Sequence, residues 1–229
     1  MTSPIDKKES LRLALCSKII SMEYLPGAVI DEVELEAQFG ISRSPIREII
    51  RQLAAEGYIE LEQNRSPRVA PMSYSSLRMF FQAAPLIYIA TTKLAALNAD
   101  AEDVRVLRAI QSEFRAAMDS GNTKARMLLN NQLHLQIGQI ARNIYLMPSL
   151  KRLLIDHARL GMTFYRSGAQ EHNQEDSLAA ADQHDWIIDA IEQHDSERAG
   201  QLIQEHWALS KKRMMDFVVP ENLDVPIQF

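Results

Sequence analysis

The fold of this chain follows from residues 40–48, GISRSPIRE. Gly40 supplies the positive φ that ends a preceding helix, and Ser42 or Ser44 can cap the next one. Pro45 is tolerated in the first helical turn, because no intrahelical N–H bond is lost there. The stretch therefore predicts two helices joined by a tight turn.

The flanking sequence completes a small domain around this turn. Residues 8–22 carry the apolar spacing of a first helix, which Pro26-Gly27 breaks, and Asp31 can cap the short helix that follows. After the second helix come two short alternating segments, residues 58–61 and 68–70, with Asn64 available for the turn between them. This order of elements predicts a winged helix-turn-helix.

Three arginines of the second helix, Arg43, Arg47 and Arg51, recur every four residues and so share one helical face. A solvated charged face produces the same pattern, and Arg51 could instead pair with Glu48 or Glu56. The spacing alone leaves these alternatives open.

From residue 73 onward the apolar pattern is helical almost throughout. Breaks between the periodic stretches predict six helices, at 74–98, 102–119, 122–142, 146–166, 176–193 and 195–217. We therefore expect a mainly α protein in three parts: a winged helix-turn-helix over 1–71, an all-α antiparallel helical bundle over 72–219, and an extended tail over 220–229.

Composition limits the function further. The 229 residues are 46% hydrophobic and 24% charged, with a formal charge of −5, which excludes a generally cationic protein but not a local basic patch. A single cysteine, Cys16, excludes an internal disulfide and a cysteine-rich zinc module. The apolar stretch 80–97 is interrupted by polar residues and predicts a buried helix and no membrane span. We expect a soluble cytoplasmic protein.

A longer ordered pattern gives these elements a family. Residues 19–71 resemble the DNA-binding domain of the GntR superfamily of bacterial transcription regulators, and the helical remainder resembles the FCD effector domain of its FadR-like branch. The resemblance rests on Leu25-Pro26-Gly27, Leu35-Glu36-Ala37, residues 40–48, Leu53 and residues 56–59. It implies a regulator, usually a repressor, and not an enzyme.

The resemblance and the physics of groove binding assign roles to individual residues. The N-terminal end of the second helix enters the major groove, where Arg43 and Arg47 can make bidentate contacts and Ser44 can bond a phosphate or base. The remaining candidates for DNA contact are Arg51 on the same helix and, in the wing, Arg65 and Arg68.

Histidines mark a second candidate site. Asn130 and His134 share a helical face, and an up-down helix pair can bring His184 beside His206. The resemblance implies that these four residues hold a divalent metal, and neutral imidazoles suit zinc, nickel or another borderline transition ion. The alternative is that the histidines are hydrogen-bonded core residues. The sequence leaves His157, His172 and His194 as surface or packing residues.

An uncompensated metal charge favours a small carboxylate as the effector, the molecule that modulates DNA binding. Tyr88 and Arg159 are pocket candidates by periodicity. The resulting prediction is a homodimer that binds a palindromic double-stranded DNA operator under control of a metal-bound organic acid. Two alternatives remain at this point: an enzyme using the three-histidine metal, and a regulator for which the metal itself is the signal.

Overall fold

The computed structural model describes residues 4–166 and 172–218, and the side chains of 7–163 and 177–212. Helices and one small hairpin make up the described chain. In order the elements are α1 (Pro4–Ile20), α2 (Glu32–Phe39), α3 (Arg43–Glu56), β1 (Ile59–Glu60), β2 (Arg68–Val69), α4 (Tyr74–Asn98), α5 (Ala101–Asp119), α6 (Thr123–Ile140), α7 (Leu146–Arg166), α8 (His172–Glu192) and α9 (Ser196–Val218).

The predicted mainly α architecture is confirmed, with differences at element ends. Helix α1 begins four residues before the predicted start at residue 8, and α8 begins at His172 where the pattern placed it at 176. The strands of the hairpin are only two residues long each. The predicted tail, 220–229, lies outside the described residues.

The N-terminal helices enclose a core of their own. Leu11, Leu15 and Ile19 of α1 are buried against Ile46 and Leu53 of α3. Asp31 caps α2 as predicted, because its Oδ1 accepts hydrogen bonds from the backbone N–H groups of Val33 and Glu34. This packing buries the apolar side of α3 and leaves its arginine face outward.

The wing is an antiparallel hairpin whose register pairs Ile59 with Val69 and Glu60 with Arg68. Asn64 adopts φ 61° in the loop between the strands, the left-handed conformation that the turn requires and that asparagine tolerates. A bridge between Val29 and Arg68 joins the hairpin to the segment before α2.

Helices α4 to α9 form the bundle, in which α4 packs against α6, α7, α8 and α9. By length and composition α4 is the one helix among those described that could cross a membrane. Here Phe80, Ala84, Tyr88 and Ala95 of this helix belong to the core of the bundle instead.

Helix α7 joins the bundle to the N-terminal half, which comprises α1 to β2. Its Arg159 is fully buried and donates from Nη1 to Asp156 Oδ1 (3.1 Å) and from Nη2 to the carbonyl oxygen of Ala70 (2.5 Å), just after the wing. On the same helix, Arg152 lies against Gly57, where α3 ends with φ 91°. The junction thus contacts both α3 and the wing.

A close helix contact sets the spacing of α6 and α7. Gly138 lies one turn after His134, and a Cβ added there would come within 2.0 Å of Leu150 Cδ2. Leu150 is fully buried, so it has little room to move. Glycine at 138 is therefore required by close approach, since its backbone conformation is ordinary for a helix.

We expect Gly138→Ala to lower the free energy of unfolding by about 1–3 kcal/mol, because overpacking outweighs the gain in helix propensity. Urea denaturation measures the change. Gly161→Ala is the matched control, since its Cβ would meet the flexible end of Met127 and should cost less. Equal losses for the two variants would contradict the packing argument.

Candidate metal centre and DNA-binding surface

The start of α3 presents an exposed cationic edge. Ser42 precedes the helix as its N-cap residue, but its side chain does not make the predicted capping hydrogen bond. Ser44 is exposed, and the Arg43 and Arg47 side chains are each 56% exposed. Ile46 and Ile50 hold the opposite side of the helix in the core. The helix can therefore insert its N-terminal end into a major groove without any rearrangement of the core.

The other arginine candidates have different surroundings. Arg51 is exposed, and the acids it could have paired with take other partners: Glu48 pairs with Lys8, and Glu56 with Arg12. Its predicted alternative role in an ion pair is therefore absent from the described residues.

Both wing arginines are exposed and partly engaged. Arg65 pairs with Glu62 at 2.5 Å, and Arg68 Nη1 donates to the carbonyl oxygen of Gly27 at 2.9 Å. The Arg68 bond ties the base of the wing to the turn after α1. Arg65 lies at the wing's free end, beside Asn64.

A cleft of about 480 Å³ runs between the wing and α2–α3. Arg47 of α3 and Arg65 of the wing both line it, together with Asp31, Glu32 and Ser66. The two arginines give this concave polar surface donors for the phosphates of a DNA strand.

The structure brings three of the four predicted metal ligands together inside the bundle. One ring nitrogen each of His134, His184 and His206 lies within 4.8 Å of the others, and all three residues are buried. The nitrogens come from α6, α8 and α9, so the predicted helix pair does place His184 beside His206. Because zinc binds imidazole nitrogen at about 2.1 Å, small inward rotations would close the set on one ion.

A glutamine on a fourth helix fixes the tautomer of His184. Gln111 Nε2 donates to the carbonyl oxygen of Ala181 at 2.8 Å, so its Oε1 faces His184 Nδ1 at 3.2 Å. A carbonyl oxygen only accepts, and His184 Nδ1 therefore carries the proton. The lone pair is left on Nε2, as metal-binding histidines require.

His206 has a similar glutamine partner, and His134 offers a buried ring nitrogen. His206 Nδ1 lies 3.0 Å from Gln183 Oε1, which repeats the glutamine support seen for His184. His134 Nε2 is buried and has no hydrogen-bond partner among the described residues. Burial, and then His206 and His157, lower the pKa of His134 well below its usual value, so the imidazole is neutral and able to ligate at pH 7.

Tyr88 lies beside this cluster, as a pocket residue would. Its ring centroid is 5.3 Å from that of His134, and its hydroxyl is 2.6 Å from His157 Nδ1. Burial lowers the pKa of His157 to about 4, which keeps this imidazole neutral as well. Tyr88 and His157 therefore form a neutral polar wall beside the three-histidine set.

The remaining two site candidates are placed differently. Asn130 is half-buried on α6, one turn before His134. Arg159, predicted to line the effector pocket, has its guanidinium at the junction with the DNA-binding half, on Asp156 and Ala70. These contacts give Arg159 a bridging position between the two halves of the chain.

Sequence reasoning missed the supporting residues His157, Gln111 and Gln183. The sequence left His157 as either a surface or a packing residue, and the structure shows that it is buried. It lies on the buried stripe of α7 that includes Leu150, Leu153 and Leu154. The apolar periodicity of that stripe could have indicated that His157 is buried. No sequence pattern indicated the roles of Gln111 and Gln183, because those roles depend on which helices are neighbours. His194 is exposed and donates to the Ala96 carbonyl, and the side chain of His172 lies outside the described residues.

Comparison with known proteins agrees with this two-part arrangement. Residues 82–209 match the FCD domain family, and residues 7–69 match the bacterial regulatory proteins of the gntR family. The chain is a GntR-family protein with an FCD domain. It is therefore a DNA-binding transcriptional regulator and not an enzyme.

Curated relatives are regulators from several bacteria. A probable D-xylose utilization operon transcriptional repressor of Paenarthrobacter nicotinovorans is 28% identical over 80% of this chain and 77% of its own length. The Nta operon transcriptional regulator of Aminobacter aminovorans is 26% identical over 58% of this chain, and the match spans 63% of that relative, less than two thirds of it.

Solved structures share the fold at low identity. Escherichia coli McbR/YncC superposes with a TM-score of 0.80 at 16% identity, over 96% of this chain and 100% of that one. A GntR-family transcriptional regulator from Pseudomonas syringae gives 0.51 at 21% identity, over 95% of this chain and 90% of that one.

Arg47→Ala should lower affinity for an operator duplex roughly 10- to 100-fold per recognition helix, through loss of a bidentate base or phosphate contact. Thermal stability should stay within about 0.5 kcal/mol of wild type, since the residue is exposed. Fluorescence anisotropy on a duplex selected by the wild-type protein from a random pool measures the affinity. Arg105→Ala, an exposed arginine on α5, is the control and should leave binding unchanged. Wild-type affinity in Arg47→Ala would remove this residue from DNA binding.

Zinc added to chelator-treated protein should raise its melting temperature, because an ion bound only by the folded state stabilises it. His184→Ala should lose most of that rise, while His194→Ala, outside the cluster, should keep it. Differential scanning fluorimetry over a zinc titration provides the measurement. An identical zinc response in His184→Ala and His194→Ala would contradict the predicted ligand set.

Proposed function

We propose that this regulator binds a palindromic operator as a homodimer and represses transcription until a small organic acid binds at a metal held by the FCD domain. The observation that carries the proposal is the buried three-histidine set with its glutamine support, in a chain whose DNA-reading arginines lie exposed elsewhere. Sensing and DNA binding are thus assigned to different surfaces of one molecule.

The proposed metal ligands are His134, His184, His206 and Asn130. Three neutral imidazoles suit zinc or nickel, and Asn130 could add an amide oxygen from one turn before His134. When bound, the ion would supply an open coordination position with uncompensated positive charge. A carboxylate group matches that position, which supports a small organic acid as the effector.

Several residues would orient such an effector. Tyr88 and His157 form a neutral wall beside His134, and the short bond between them holds both rings in place. Their hydrogen-bonding groups suit a hydroxyl or second carboxyl group of the acid. Arg159, the other pocket candidate, supports the proposal in another way, through the junction.

Helix α7 is the proposed route between the two functions. His157 of this helix is next to the histidine set, while Arg159 and Arg152 contact Ala70 and Gly57 of the DNA-binding half. A shift of α7 on effector binding would therefore move the DNA-binding half relative to the bundle. Only an effector with different affinities for the two arrangements can drive such a shift.

Operator symmetry supports the homodimer. One chain carries one recognition helix and so reads one half-site, whereas two chains related by a two-fold axis read a palindrome. Action on DNA implies a cytoplasmic location.

The test is a thermal-shift screen of zinc-loaded protein against carboxylates, sugar acids and amino acids, followed by operator binding with each stabilising acid. We expect one class of acid to stabilise the zinc-loaded protein but not the zinc-free protein, and to weaken binding of the zinc-loaded protein to the operator. If zinc by itself changes operator affinity and no acid adds to it, the metal is the signal. If no acid and no metal changes either quantity, the proposed sensing role is wrong.

Arg159→Met should weaken the coupling between the bundle and the DNA-binding half. Methionine cannot donate the hydrogen bond to the Ala70 carbonyl oxygen, but its unbranched side chain fills much of the same space. We expect the acid and zinc to stabilise the variant while their effect on operator affinity falls. Lys151→Met, exposed on the same helix, is the control and should keep full coupling. Undiminished coupling in Arg159→Met, measured by anisotropy with and without the acid, would exclude this route.

A further inference from the structure

Two acid–arginine pairs connect α2 to the recognition helix. Glu32 Oε2 accepts from Arg47 Nε at 2.8 Å, and Glu36 Oε2 accepts from Arg43 Nε at 3.1 Å. The two acids are four residues apart on α2, and the two arginines are four residues apart on α3. Each pair joins one turn of α2 to one turn of α3, and the two pairs are called rungs below.

Both rungs use the same arginine atom. In each pair the bond is made by Nε, on the side of the guanidinium, and the terminal Nη1 and Nη2 groups lie beyond it. Those two terminal groups are the fork that binds guanine O6 and N7, or two phosphate oxygens, in bidentate fashion. The acids thus hold each arginine by a part that DNA contact does not need.

Burial is uneven across the first rung. The Glu32 side chain is 21% exposed, while that of Arg47 is 56% exposed. Both side chains line the cleft between the wing and α2–α3, and Arg47 is the more exposed of the two. A phosphate or base therefore reaches Arg47 more readily than Glu32.

We propose that Glu32 and Glu36 are positioning residues for sequence recognition, which aim the Arg47 and Arg43 forks at base edges. The inference rests on the DNA-reading role given above to these two arginines. A free arginine side chain loses rotamer entropy when it binds, whereas a guanidinium already held by an acid has lost part of that entropy beforehand.

The acids also oppose non-specific binding. Each places a negative charge beside a phosphate-binding surface, so it weakens attraction to DNA of any sequence. Base contacts made by an oriented fork recover affinity only at the correct site. The pairs would therefore lower general affinity and raise discrimination, in the way that repulsive elements create specificity elsewhere.

An ordinary surface ion pair is the competing explanation. Exposed pairs contribute little to stability. A pair of that kind would leave the preference for one DNA sequence over another unchanged. Helix α2 offers a control that separates the two, because Glu34 is exposed and has no ion pair with any described residue. Glu34→Ala removes the same charge from the same helix without touching either rung.

The experiment compares Glu32→Ala, Glu32→Gln and Glu34→Ala in full-length protein. Each is measured against the selected operator duplex and a scrambled duplex of equal length, at two salt concentrations. Glu34→Ala should raise both affinities by the same factor and leave their ratio unchanged. Glu32→Ala should raise only the scrambled affinity and lower the ratio about 5- to 10-fold. Glu32→Gln should restore most of the ratio, because its amide oxygen still accepts from Nε.

A second readout locates the effect. Selection of operators from a pool randomised at every position should show that Glu32→Ala relaxes the preference read by Arg47, while Glu36→Ala relaxes the preference at a different base pair, read by Arg43. Thermal stability should stay near wild type in all variants.

Equal specificity ratios for Glu32→Ala and Glu34→Ala would overturn the proposal. If Arg47→Ala keeps the wild-type ratio of operator affinity to scrambled-duplex affinity, Arg47 does not read the DNA sequence. That result would contradict the role proposed for Arg47 itself, and it differs from the result that would contradict the positioning role of Glu32.

Discussion

A buried guanidinium holds the two halves of this regulator in register. Arg159 has no exposed surface, and a charge at such a position is tolerated only when hydrogen bonds and an opposite charge compensate for the lost water. Asp156 supplies the charge and the Ala70 carbonyl supplies the bond, so the end of the wing must stay against α7. The orientation of the recognition helix relative to the bundle depends on that contact.

Buried imidazoles impose a similar requirement inside the bundle, where α6, α8 and α9 meet. A neutral imidazole in a core needs a donor and an acceptor, and the glutamines on His184 and His206 provide the outer partner for each. One ring nitrogen each of His134, His184 and His206 lies within 4.8 Å of the others, and Nε2 of His134 lacks a partner among the described residues. Burying polar groups in this way carries a desolvation cost that the surrounding hydrogen bonds offset only in part.

Much of the fold was predictable because the deciding signals are local. Gly40, Pro45 and Gly57 mark helix ends through backbone conformation alone, and the bundle helices follow from apolar periodicity. The turn between α8 and α9 was enough to place His184 near His206, whereas adding His134 to the set required the family resemblance, because its helix is distant in the sequence. The bridging position of Arg159 was out of reach, because it depends on how two separately folded cores meet. Likewise, the sequence gives no sign that Glu32 and Glu36 pair with Arg47 and Arg43, because these pairs depend on how α2 packs against α3.

Helix α5 carries none of the three clustered histidines, yet its Gln111 decides which nitrogen of His184 faces the centre of the cluster. The protonation pattern of the cluster is thus set partly by a residue outside it. A relative that kept all three histidines but lost this glutamine would present a different set of ring donors at the same place. Comparisons restricted to the histidine positions would not detect that difference.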